Sequence, residues 1–154
     1  MNLSEEYIRG LIEGEGCFTF CNVPIYHPVI NKKLKIPAFA LRMHKRDEEL
    51  IAAVKEKLGL RNRLYQARPV GLEVKGKIYR RGGQTILIVR DFGQLKNKVI
   101  PFFYRKLWGN KGKQFETWLN KIGDDPLVQD NYKLLHRLYK SGYWDRAISE
   151  KKIV

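Results

Sequence analysis

The feature that most constrains this chain is an abrupt change of hydrophobic period near residue 16. Before it, Tyr7, Ile8, Leu11 and Ile12 recur at helical spacing over Glu5 to Gly14. After it, in CFTFCNV, Phe18 and Phe20 alternate with Cys17, Thr19 and Cys21, the period of a half-buried strand. Ser4 suits the helix N-cap, Glu5 and Glu6 suit its positive end, and Gly16 suits its stop. The alternation returns in KIPAFALRM, where Phe39, Leu41 and Met43 stand opposite Ala38, Ala40 and Arg42. RDEELIAAVKEKLG reverts to helical spacing, with Asp47 as cap and Gly59 as stop. A strand near Arg61 to Arg68, a glycine-rich turn region and an apolar strand from Thr85 to Val89 follow. Asp91 then caps a third helix reaching Val99, and Lys113 to Ile122 and Leu127 to Ile148 read as helices. The order αββαββα, then more helix, predicts an α+β fold in one domain over residues 1–154. Its two ββα steps build a four-stranded antiparallel sheet with helices on one face.

The other face must then meet water or a ligand, and charge indicates which ligand. Lys and Arg total 30 against 16 Asp and Glu, a net charge of +14. Such an excess attracts a polyanion, most often nucleic acid. The outward residues are Thr19, Arg42, Arg61, Arg63, Arg68, Lys75, Lys77, Arg80 and Arg81. From Arg61 to Arg81 there are seven basic residues and one acid, Glu73; from Lys96 to Lys113 there are six and none. A twisted basic sheet face can lie in a DNA major groove, which admits a β-ribbon.

Several classes are disfavoured. Asn2 to Glu6 is polar and acidic, and the apolar run after it is too short for a secretory signal. No run of 18 apolar residues offers a membrane-spanning helix. Cys17 and Cys21 on one extended strand lie about 13 Å apart, beyond disulfide reach, so the chain reads as intracellular. His27, His44 and His136 lack the spacing of a zinc site.

Gly10 and Gly14 share one helix face, four residues apart. Each costs up to about 1 kcal/mol relative to Ala in a helix, so a face bare of side chains suits the close approach of another helix. Glu15 sits just past the helix end, between Gly14 and Gly16. A carboxylate there is misplaced for the helix dipole. Together with the free carbonyls of the last turn, it makes a site for a hard cation such as Mg²⁺.

Ile8 to Gly16, IRGLIEGEG, resembles the LAGLIDADG motif of homing endonucleases. Seven of the nine positions are identical or chemically close, with Arg9 and Gly14 in place of the two alanines. FALRMHKRDEELI, Phe39 to Ile51, resembles the family's second strand running into its second helix. Ile100 to Trp118 resembles the segment that supplies a basic residue near the cleft.

The resemblance implies a site-specific, intron-encoded DNA endonuclease acting as a homodimer on a long, near-palindromic target. The motif helix would pack against its copy through Ile8, Gly10, Leu11 and Gly14. Glu15, with the Gly14 carbonyl, would bind Mg²⁺ or Mn²⁺, while Ca²⁺ would bind without supporting cleavage. Glu13 would be structural, with Arg9 as a possible ion-pair partner. Lys111, four residues before Phe115, would stabilise charge on the scissile phosphate. Each Glu15 would serve one strand, giving a double-strand break with short 3′ overhangs. Met43 stands where members often carry a water-positioning Gln, leaving His44 or Gln66 as substitutes. The family also contains intron RNA maturases and non-cleaving DNA-binding relatives, and these are the competing expectations. The setting expected is an archaeal cytoplasm or an organelle.

Overall fold

A computed structural model describes residues 1–68, 71–80 and 82–145, with backbone alone at 71–74 and 77–80. Helix α1 (Glu5–Glu15) opens with the Ser4 hydroxyl accepting the Tyr7 N–H at 3.1 Å. It buries Ile8 and Ile12 completely. The chain passes without a loop into β1 (Gly16–Tyr26). A Cβ on Gly16 would stand 2.4 Å from Ile12 Cγ2 and 2.9 Å from the Ile12 carbonyl oxygen. Only glycine permits so sharp an exit from the helix.

Strand β2 (Lys33–His44) leads to α2 (Glu48–Leu58), which Gly59 ends in a left-handed conformation, φ 69°. Next come β3 (Tyr65–Ala67), β4 (Gly71–Val74), β5 (Lys77–Arg80) and β6 (Gln84–Val89). The main sheet is antiparallel with strand order β1-β2-β6-β3. Its register sets Phe18 opposite Phe39, and Phe39 opposite Val89, on the helix side. Cys17 opposite Ala40, and Ala40 opposite Ile88, face the other way.

A helical segment follows as α3 (Phe92–Gln94), a π-helical turn (Leu95–Val99) and α4 (Ile100–Phe103). In the wide turn the Ile100 N–H bonds the Leu95 carbonyl five residues back, and the Lys96 carbonyl it passes over accepts the Trp144 indole N–H at 3.1 Å. Helix α5 (Gly109–Asp124) crosses back along β1, and α6 (Lys133–Ser141) packs on it. Aromatic rings fasten β1 to these helices. Phe18 lies 4.8 Å from Phe115, 5.3 Å from Trp118 and 5.7 Å from Phe103, centroid to centroid.

The α+β class and the four-stranded sheet match the sequence expectation, and several details differ. Glu15 is the last helical residue rather than the first beyond the helix. Asp47 makes no capping bond; the His44 ring caps the short turn before α2, its Nδ1 accepting the Arg46 N–H at 3.1 Å. The region expected as one strand and a turn holds the short β3 and a separate β4–β5 hairpin. Its turn, Lys75 at φ 54° and Gly76 at φ 76°, has the handedness that hairpins favour. The last helix does not begin at Leu127. Val128 lies beside Lys35 near the start of β2, with the Lys35 N–H donating to the Leu127 carbonyl at 2.8 Å. Those backbone groups bond to the strand, so helix starts only after Gln129.

Candidate functional site

The end of α1 collects the chemistry. Glu15 is exposed there, and the helix stops before any i+4 N–H reaches the Gly14 carbonyl. Lys111, in the first turn of α5, donates its ammonium to the Gly16 carbonyl at 2.5 Å. The Lys111 ammonium therefore sits on the carbonyl of the residue that follows Glu15 in the chain. Glu13, one turn-face away, accepts the Trp108 backbone N–H at 2.8 Å and ties down the segment that leads into α5. Gly109 follows at φ 63°, a left-handed turn at the start of that helix.

The expected pairing of Arg9 with Glu13 does not occur. Arg9 bonds Glu5 at 3.3 Å and the Phe102 carbonyl at 3.0 Å, and its guanidinium lies 4.5 Å from the Phe102 ring centre. The ring and carbonyl draw Arg9 inward, while the Trp108 amide already occupies Glu13.

The two motif glycines lie on an exposed face, and a Cβ added to either would meet nothing within 4 Å. Nothing among the described residues requires glycine at these positions. Tyr7 is exposed and Leu11 half-buried, and Trp108 stands out at 81% exposure beside α1. A groove of about 510 Å³ runs between α1 and the segment 105–108, lined by Glu6, Arg9, Gly10, Glu13, Leu107 and Trp108. Ile8 is a correction: it is fully buried in the protomer core, because its helical phase matches Ile12, so it has no surface to offer a second chain.

The outward sheet face carries Thr19, half-buried, and Arg42, exposed. Arg61, Arg63 and Arg68 are exposed around β3, and Lys75 is exposed at the hairpin turn. Lys77 and Arg80 belong to β5, and Arg81 lies outside the described residues. The loop bearing Arg61 and Arg63 is pinned by Gln94, a buried residue the sequence reading passed over. Its side-chain oxygen accepts the Arg61 N–H at 2.7 Å, and its amide donates to Asn62 and Asp91 at 2.5 Å each. The signal was there, a glutamine in an apolar helical stripe.

Neither proposed water-positioning side chain is free for that task at Glu15. Gln66 pairs with Thr85, which is fully buried, so the pleat turns it to the helix side. There it accepts from the Thr85 hydroxyl at 3.1 Å and donates to Glu48 at 2.9 Å. His44 is engaged in its cap and lies three residues, about 10 Å of strand, beyond Leu41, the partner of Gly16.

Among the described residues, no three of His, Cys, Asp and Glu gather as a metal cluster. One protomer thus offers Glu15 and one helix-end carbonyl. That all-oxygen donor set fits a hard cation whose other positions go to water and phosphate oxygens. Among the described residues no helix is long and apolar enough to cross a membrane.

Comparison with known proteins agrees with this geometry. No curated protein sequence matches the chain significantly. The fold is similar to three solved structures with DNA. These are the I-LtrWI LAGLIDADG homing endonuclease bound to target DNA (23% identity, TM-score 0.58, covering 77% of this chain and 36% of that one), the LAGLIDADG meganuclease I-CpaMI bound to uncleaved DNA (18%, 0.59, 93% and 42%) and the I-SmaMI LAGLIDADG homing endonuclease bound to cleaved DNA (20%, 0.59, 88% and 43%). The chain thus spans less than half the length of these proteins. The family model described as LAGLIDADG endonuclease matches residues 8–122, from the motif helix through the sheet to the end of α5. With the motif at the end of α1 and the antiparallel sheet behind it, the chain belongs to the LAGLIDADG endonuclease family.

Proposed function

We propose that the protein is a homodimeric, divalent-metal-dependent homing endonuclease that makes a double-strand break in a long, near-palindromic DNA target. The observation that carries this reading is the placement of Lys111 on the Gly16 carbonyl beside exposed Glu15. It is half of a cleavage site, with one carboxylate and one cation, at the edge of a basic sheet face. The vacant Gly10–Gly14 face supports a second copy completing it. So does the coverage of 36–43% of similar chains, which leaves room there for two such units.

Mg²⁺ would be held by Glu15 and the Gly14 carbonyl. When bound, it supplies charge neutralisation and an acidified water at the phosphodiester. Glu15 contributes the anionic ligand and sets the position of that charge at the helix end. Lys111 is aimed to offset negative charge that develops on the phosphate. Arg42, Arg61, Arg63 and Arg68 hold the backbone and bases along the sheet.

The test is cleavage of a randomised palindromic duplex library with Mg²⁺ and an EDTA control, followed by sequencing of the ends. Metal-dependent double-strand cuts at one near-palindromic site, with 3′ overhangs, are expected. Tight binding without cutting would assign the protein to the non-cleaving relatives. Preference for an intron RNA over any DNA would assign it to the maturases.

A further inference from the structure

The three tryptophans of the chain divide two to one. Trp118 and Trp144 are each 2% exposed, and their indole N–H groups donate to the Thr19 carbonyl at 2.8 Å and to the Lys96 carbonyl. Trp108 is 81% exposed. Its backbone is nonetheless held from several sides. The Trp108 N–H is bonded to Glu13, and the Lys106 N–H donates to the Phe103 carbonyl at 3.0 Å. A Cβ on Gly112 would stand 2.7 Å from the Leu107 carbonyl oxygen, so the first turn of α5 closes directly onto this segment. Trp108 lines one side of the groove against α1, and Gly10 and Glu6, both exposed, line the other. A large ring fixed in place and left in water is the pattern of an interface anchor.

We propose that Trp108 is an intersubunit anchor, seated on the α1 helix of a second copy of this chain at Gly10. The inference rests on the homodimer reading above and adds a contact from a different element, the segment 105–108 in front of α5. Three observations favour a second copy as the occupant. Trp108 stands beside the exposed face of α1, so a two-fold axis that brings two such faces together carries each Trp108 to the other helix. Gly10 leaves room for a ring there, since a Cβ would meet nothing within 4 Å. Charge is complementary: Arg105 and Lys106 precede Trp108, whereas α1 carries Glu5, Glu6, Glu13 and Glu15 against the single Arg9. Glu6, exposed on the groove, also offers the indole N–H an acceptor. Because the backbone of Trp108 is already fixed, docking orders little more than the ring itself.

The experiment follows tryptophan emission over a dilution series of the wild-type protein without DNA, beside sedimentation equilibrium at the same concentrations. Trp118 and Trp144 are buried within the protomer, so a change in emission reports Trp108. Emission is expected to shift to the blue, and acrylamide quenching to fall, as the dimer forms. Trp108→Ala should raise the dimer dissociation constant about 30-fold or more, the effect of losing a dominant interface side chain, while Trp108→Phe should keep most of the affinity. Trp108 is exposed, so both variants keep the wild-type fold, and circular dichroism checks this. Gly10→Val fills the seat without touching Trp108 and should abolish the blue shift. A wild-type dimer that emits like the monomer, a Trp108→Ala dimer as tight as the wild type, or a blue shift retained by Gly10→Val would overturn the inference and leave the homodimer reading intact. So would a shift that appears only when duplex DNA is added. Monomers at every concentration would overturn that reading and this inference with it.

Discussion

The ammonium of Lys111 lies 2.5 Å from the carbonyl oxygen of Gly16, a residue 95 positions earlier in the chain. This bond brings the start of α5 to the end of α1 and fixes a cation next to Glu15. Lys111→Ala should lower the cleavage rate about 10²- to 10³-fold, the range for removing one preorganised electrostatic donor. DNA affinity should change by a few-fold only, because one of many phosphate-facing cations is lost. Single-turnover cleavage beside a gel-shift titration checks this; an unchanged rate would remove Lys111 from the site.

Glu15 is exposed and makes no hydrogen bond within the described protomer that would tie it to folding. Glu15→Gln should abolish metal-dependent cleavage and preserve or tighten DNA binding, since the change removes repulsion between a carboxylate and phosphate. Thermal midpoints of the two proteins should agree within a few degrees. Cutting at the wild-type rate by the variant would displace the metal assignment.

Gly14 and Gly16 are two residues apart and should behave oppositely. Around Gly14 there is open space, so Gly14→Leu should leave the protomer folded and produce monomers in sedimentation velocity. A stable dimer of that variant would sink the interface assignment. At Gly16 the Ile12 side chain and carbonyl already fill the space, so Gly16→Ala should destabilise the fold by about 1–3 kcal/mol through overpacking. Chemical denaturation of each variant separates the two effects.

Asp125 links the segment before α6 to the sheet. It bonds Lys35 at 2.5 Å and the Leu127 N–H at 2.9 Å. Burial alone would raise its carboxyl, but Lys35, the Leu127 amide and Lys133 outweigh burial and hold it below its ordinary 3.8. A depressed folded pKa contributes stability that is complete above the unfolded value and drains as pH falls through the folded one. The contribution should therefore persist down to about pH 4 and fade below it. Asp125→Asn should cost about 1 kcal/mol at pH 7 and lose less than the wild type on acidification, as urea melts at pH 7 and pH 3 would report. Equal acid sensitivity would dismiss the pair as a source of pH dependence.

What the sequence determined by itself is the local grammar. Helical spacing at Tyr7 to Ile12, alternation at Phe18 and Phe39, and caps at Ser4, Asp91 and Gly59 depend on neighbours a few residues away. They set the element order and the position of Glu15 at a helix end. The tertiary structure decided who meets whom. Ile8 turned inward and left Gly10 and Gly14 outside. Arg9 chose Glu5 and Phe102 over Glu13. One residue of register sent Gln66 to the helix side, and Val128 took a place beside β2 where a helix was expected. These outcomes depend on strand register and on competition among partners far apart in the chain. Periodicity reports which face a residue occupies within its own element, but not which distant group that face will meet.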